Sequence, residues 1–349
     1  MDKNLLKQLK ASPLVTQQKL TREELLEERD NFQNILSKFI FPDDEYDQIH
    51  VDDIKCQIAE LCRKNNLTEY ECVQQTLSQL NYLHKETSII KSGEKGEKIL
   101  QNELTKCRRP STYIFNNLDL YDTESNARTE IDSLVLTDDG IIFFEAKRVK
   151  SAVELTKDGR LVFADGACNN DRTPIVDNMR LKKELLTKML KDLGINFNFK
   201  IESYITIVPK SQSKCRFTDN YNRQPTCYVE DVLEIIENFH YYAPLKSEQL
   251  LKIYEALTKI KNSKIKQFSK FDYKSLLDNL EQVVELLDSN KKEENNDSVK
   301  NNNPKSFIKN IKKSLNVTNL KFFGITLASF GALAGATYMG INAYTKKYR

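Results

Sequence analysis

Glu145 and Lys147 stand two apart at the end of an apolar run, Ile141 to Ala146, so on a strand both side chains project from one face. Asp132 interrupts a second run, Ile131 to Leu136, where a charge among Ile, Leu and Val needs a reason. Glu130 falls on the strand face of Asp132 and reads as a support rather than a ligand. Glu97 opens a helical stretch, Gly96 to Leu104. Antiparallel pairing of the two runs would set Asp132 beside Glu145. Carboxylates gathered in this way repel one another unless a cation lies between them, and hard oxygen donors suit Mg²⁺ or Mn²⁺. Such an ion could activate water and hold a phosphate oxygen, while Lys147 stabilises the charge that develops or orients the water. That chemistry is phosphodiester cleavage. Each residue also has a plainer role open to it: Glu97 as a solvated helix residue, Glu145 and Lys147 as an ion pair on an edge strand.

The elements that must position these groups follow from pattern. Thr137-Asp138-Asp139-Gly140 separates the two runs as a hairpin turn. Arg180 to Leu193 has the amphipathic helical period, Ser203 to Val208 is a further strand, and Val229 to Phe239 returns to helix. The mixture predicts an α/β fold, a sheet with helices packed against it. Residues 1–90 read as helices: Thr21 with Glu24 and Thr68 with Glu71 match capping boxes, and Leu25, Leu26, Phe32, Ile35, Leu36 and Phe39 form an apolar stripe. No chemistry is evident there. Residues 241–288 read as further helices, with Leu250, Leu251, Tyr254 and Leu257 in one set and Leu276, Leu277, Leu280, Val284 and Leu287 in another. Residues 289–320 are a polar, basic linker.

Gly93-Glu94-Lys95-Gly96-Glu97, Glu130-Ile131-Asp132-Ser133-Leu134-Val135, the Asp139-Gly140 turn and Phe144-Glu145-Ala146-Lys147 resemble the successive motifs of the nuclease-related domain, NERD, a branch of the PD-(D/E)xK nuclease superfamily. The resemblance covers roughly residues 90–210, within an expected domain at 91–240. It implies a restriction-endonuclease-like core, a mixed sheet flanked by helices. It also implies Asp132 and Glu145 as metal ligands, Lys147 as catalytic lysine and Glu97 as the helix carboxylate completing the site. The implied cofactor is Mg²⁺ or Mn²⁺, and the implied partner is nucleic acid, DNA ahead of RNA. Two departures stand out: Thr173-Pro174-Ile175-Val176-Asp177 replaces an Asn-Pro followed by Gln, and Phe163 stands near a position often held by tryptophan, of which the chain has none.

The 349 residues carry a formal charge of +3, with 30% charged and 40% apolar residues, so the chain is globular and without an overall basic footprint. Its seven cysteines include no C-x-x-C pair, which excludes a zinc cage of that pattern and favours a reducing compartment. Three scattered histidines, and the lack of a nucleophile-elbow, Walker or dinucleotide motif, point away from those chemistries. Two basic groups, Lys106, Arg108 and Arg109, and Lys147, Arg148 and Lys150, could contact phosphates if they lie beside the site.

Phe322 to Tyr344 carries no charge and matches the ~20 residues that cross a bilayer as a helix, so residues 321–345 read as a transmembrane helix. The flanking lysines favour a single-pass protein with its N-terminal domain in the cytoplasm. Gly331 and Gly335 form a G-x-x-x-G face that could let two such helices approach. Three functions follow: a membrane-tethered nuclease, a catalytically silent NERD-like module binding nucleic acid or protein, or a membrane scaffold.

Overall fold

Alternating apolar residues build a five-stranded sheet at the centre of the protein. The computed structural model describes residues 3–41, 50–164, 173–210, 215–263 and 265–296. Strands β1 (Tyr113–Asp122), β2 (Ala127–Thr137), β3 (Gly140–Val149), β6 (Lys200–Pro209) and β8 (Thr226–Tyr228) lie in the order β1-β2-β3-β6-β8. The first three are antiparallel and the last three parallel. Strands β4 (Val153–Leu155), β5 (Leu161–Phe163) and β7 (Phe217–Asp219) make a small second sheet. This mixed sheet flanked by helices agrees with the expected α/β core.

The helices are α1 (Lys3–Ala11), α2 (Arg22–Ile40), α3 (Val51–Lys64), α4 (Glu71–Leu104), α5 (Ile175–Asp192), α6 (Val232–Glu237), α7 (Ser247–Asn262) and α8 (Tyr273–Asn296). The described residues up to Leu286 form one compact unit. On one face of the sheet, Leu134, Leu136, Ile141, Phe143, Ile205 and Ile207 pack against Met179 and Leu186 of α5 and Ile253 and Leu257 of α7. On the other, Val135, Ile142, Phe144 and Val208 meet Leu100 and Leu104 of α4 and Val232 and Ile236 of α6. Strand β3 is thus buried on both faces, which is why it reads as a continuous apolar run.

Helix α4 runs unbroken from Glu71 to Leu104, across the position near residue 90 where the sequence pattern changes. Thr21 and Glu24 do close a capping box, at 3.2 and 2.8 Å. Thr68 and Glu71 do not: the chain first turns through Leu67, whose carbonyl accepts the Tyr70 N–H, so α4 begins two residues later with Tyr70 at its N-cap. Leu251 and Tyr254 are exposed, and Ile253, Ala256 and Ile260 take their places in the buried set. Tyr254 instead lies against the rings of Tyr113 and Phe115 at the sheet margin. Helix α8 continues to Asn296, past the expected start of the linker at 289. Among the described residues no helix is long and apolar enough to cross a membrane. The expected span at 321–345, with Gly331 and Gly335, lies outside the described residues.

The β2–β3 turn is fixed by backbone geometry. Gly140 has φ +130°, and a Cβ placed on it would lie 2.3 Å from the Lys200 carbonyl oxygen of the neighbouring parallel strand. Gly140→Ala is therefore expected to destabilise the protein by about 2 kcal/mol, read from the shift in denaturant midpoint.

Candidate functional site

The site forms where the sheet ladder opens. Antiparallel pairing between β2 and β3 runs from the turn to Ser133 opposite Phe144 and stops there. Asp132 and Glu145 are the next residues on each strand. Instead of a backbone ladder bond, Asp132 Oδ2 accepts the Ala146 N–H at 2.8 Å. On the other side of β2, the β1 pairing skips the same level, between Asn116–Ser133 and Leu118–Ile131. Asn117 there has φ 52°, in the left-handed region that Asn tolerates.

The kink changes the phase of both strands. Phe115 and Leu118 of β1, and Ile131 and Leu134 of β2, face one core although each pair is three residues apart rather than two. Asn117 is tied from two sides: its Oδ1 accepts Gln101 Nε2 at 3.2 Å, and its carbonyl accepts Lys261 Nζ at 3.0 Å. A strand interrupted in this way frees its side chains from strict alternation, which is how Asp132 comes to lie between the two sheet faces.

Glu145 and Lys147 project together, as their spacing predicts, with Lys147 Nζ donating to Glu145 Oε1 at 2.9 Å. Glu145 Oε2 is held by Lys182 of α5. Sequence reasoning missed Lys182, yet a signal was present: it occupies the buried stripe of α5 with Ile175, Met179 and Leu186. Glu97 reaches the site because α4 approaches β3 closely, Gly96 leaving room for Arg148, whose Cβ would be 3.0 Å from an added Cβ. The Glu97 carboxylate is taken by Arg22 of α2, Nη2 to Oε2 at 2.8 Å, and the other guanidinium nitrogen lies 3.0 Å from Glu130 Oε1. Arg22 had no sequence signal.

The five expected residues fall into two groups. Asp132, Glu145 and Lys147 form one, with Lys182. Glu97 and Glu130 form the other, joined by Arg22. No set of three or more His, Cys, Asp or Glu side chains is arranged to hold a metal ion among the described residues.

Burial, then the neighbouring Glu145 charge, raises the Asp132 pKa well above the usual carboxylate range. Burial opposes the charge on Glu145 too, but Lys147 and Lys182 outweigh it and hold that carboxylate low. The two acids are pushed apart in the manner of an acid–base pair. Burial also pushes Glu130 up to about 7, against the opposing pull of Arg22. A carboxyl raised in the folded state is protonated there while already ionised in the unfolded chain, so stability falls as pH rises between the two pKa values. The protein is expected to lose stability from pH 5 to pH 8, and Glu130→Gln to flatten part of that slope, measured by urea unfolding across the range.

Arg109 does not join the site. Its guanidinium is bound at the distal turn by Asp138, Asp139 and the carbonyls of Ile236 and Phe239. Asp177, at the departure from the Asn-Pro pattern, pairs with Arg180 on its own helix at 2.9 Å.

This split strand pair, with Asp132 on one strand and Glu145 and Lys147 on the next, lies inside a recognisable segment. Residues 92–208 match the model of the nuclease-related domain, NERD. The NERD segment takes in β1 to β5, α5, all but the last residue of β6 and the last part of α4, and leaves Arg22 outside. It is about a third of the chain. Comparison with curated proteins and with solved structures gave no match.

Proposed function

We propose that the NERD segment is a metal-dependent phosphodiesterase acting on nucleic acid, on DNA in preference to RNA. The observation that carries this reading is the buried pair Asp132 and Glu145, set where β2 and β3 part, with Lys147 on Glu145. Two hard oxygen donors, one of them driven toward its protonated form by burial and by the other's charge, suit a hard divalent ion. Mg²⁺ is commonly held by one or two carboxylates together with waters and substrate phosphate oxygens, so two protein ligands are enough. Asp132 and Glu145 would hold Mg²⁺ or Mn²⁺; when bound, the ion supplies Lewis acidity toward a phosphate oxygen and a more acidic water.

The chain's own groups do the rest. Lys147, anchored at 2.9 Å from Glu145, offers its ammonium to the negative charge that builds on the phosphoryl oxygens. Lys182 neutralises Glu145 from the α5 side and keeps that carboxylate ionised below neutral pH. The Ala146 N–H fixes the orientation of Asp132, leaving its other oxygen lone pairs for a ligand.

The test is incubation of the full chain with supercoiled plasmid and with single-stranded RNA in Mg²⁺, Mn²⁺ or EDTA. Nicking that requires Mg²⁺ or Mn²⁺ and disappears in EDTA is expected, with DNA cut faster. A second reading, a catalytically silent binding module, draws on the Arg22 contacts that occupy Glu97 and Glu130. DNA binding without cleavage under every ion would establish it.

The apolar stretch 322–344 and its flanking lysines support attachment to a membrane, single-pass with the N-terminal part cytoplasmic. Deletion of residues 321–349 is expected to release the protein from the membrane fraction into the supernatant, and persistence in the membrane would refute the tether.

A further inference from the structure

Arg22 lies outside the NERD segment, yet both of its terminal nitrogens lie close to site carboxylates: Nη2 donates to Glu97 Oε2 at 2.8 Å, and Nη1 is 3.0 Å from Glu130 Oε1, an ion pair without hydrogen-bond geometry. The side chains of Arg22, Glu97 and Glu130 are only 24, 15 and 26% exposed, so water screens the pairs weakly.

The arginine is held there by its backbone. Thr21 caps α2 directly before it. Leu20 and Gln267 exchange backbone hydrogen bonds of 2.8 and 2.7 Å. Gln267 Oε1 accepts Arg128 Nη1 at 3.0 Å, and Arg128 pairs with Asp119 at 3.1 Å. Asp119 stands opposite Glu130 in the β1–β2 register. The segment bearing Arg22 is therefore tied to the strands that carry Asn117, Glu130 and Asp132.

We propose that Arg22 sets the affinity of the site for a divalent cation, by occupying Glu97 and Glu130 and by placing a positive charge beside Asp132; this rests on the metal-dependent reading above. Arg22 is a positioning residue in this account. It withdraws two carboxylates from the donors an ion could meet, and it repels the ion directly. Both effects weaken cation binding, and both vanish when the guanidinium is replaced by a neutral group.

Calorimetric titration of the full chain in detergent with Mn²⁺ and Mg²⁺, without nucleic acid, tests this. Arg22→Gln is expected to bind Mn²⁺ about tenfold tighter than wild type, and Arg22→Lys to remain near wild type because the charge stays. Adding Glu97→Gln to Arg22→Gln is expected to remove part of the gain, leaving what Glu130 and the lost repulsion supply. A merely structural role for Arg22 would loosen the site and weaken binding, the opposite sign. Unchanged or weaker binding by folded Arg22→Gln, beside measurable binding by wild type, overturns this inference alone. No binding by either overturns it together with the metal-dependent reading. Should Arg22→Gln fail to fold, Arg22→Met, which keeps the aliphatic stem without the charge, decides by the same signs: tighter binding is expected, and unchanged or weaker binding overturns the proposal.

Discussion

Lys147→Ala is expected to lower the divalent-dependent cleavage rate by about a thousandfold, with DNA binding changed far less. The size follows from the position of the ammonium. A group fixed by a buried carboxylate stabilises charge that appears in the transition state and contributes little to the ground state, so its loss falls on turnover. Asp132→Asn is expected to match that loss and also to weaken Mn²⁺ binding in calorimetry, because an amide keeps the shape but loses the charge. The two variants separate the roles: reduced cleavage with retained ion binding belongs to Lys147, and loss of both to Asp132. Cleavage that persists unchanged in both variants refutes the site.

Arg109→Ala is expected to destabilise the protein by about 4 kcal/mol, the largest stability effect away from the site. The guanidinium is 11% exposed and meets four acceptors, but they are unequal. Asp138 is 48% exposed, and its share is small. Asp139 is buried, and the guanidinium also meets the carbonyl of Ile236 in the last turn of α6 and that of Phe239 just past its end, at 2.7 and 2.6 Å. Removing the arginine leaves a buried carboxylate with only the Tyr241 N–H and His240, and takes a charged donor from two carbonyls together. Burial alone would raise the Asp139 pKa; the Tyr241 N–H, Arg109 and His240 outweigh it and hold the carboxyl low. A depressed carboxylate contributes stability above its unfolded pKa and loses it as pH falls, so the penalty for Arg109→Ala should shrink in acid. Arg109→Lys, which cannot span four acceptors, is expected to recover less than half, by urea unfolding.

The hairpin, the paired Glu145 and Lys147 and the misplaced charge of Asp132 were legible because period-two patterning and turn chemistry are local. Strand β1 was not. Its Asn116, Asn117 and Asp119 look like loop residues, and the left-handed Asn117 breaks the alternation on which a strand is recognised. The short strands β4, β5, β7 and β8 offer too few residues for any period. Lys182 could have been found as a charge on an apolar helix face. Arg22 could not, because Glu97 lies 75 positions downstream and Glu130 further still, and a long-range ion pair leaves no mark in local sequence.

Helix α4 carries a consequence for how the protein can be divided. Most of its 34 residues precede residue 92, where the NERD segment begins, and Glu97 stands on the remainder. The helix is a rod of about 50 Å. Its N-terminal portion, where Val73 and Leu80 are buried, packs against α3, where Ile58 and Cys62 are buried. Cutting the gene at the family boundary would sever that rod and leave Glu97 on a frayed end, so an inactive excised fragment would report a broken lever arm rather than missing chemistry.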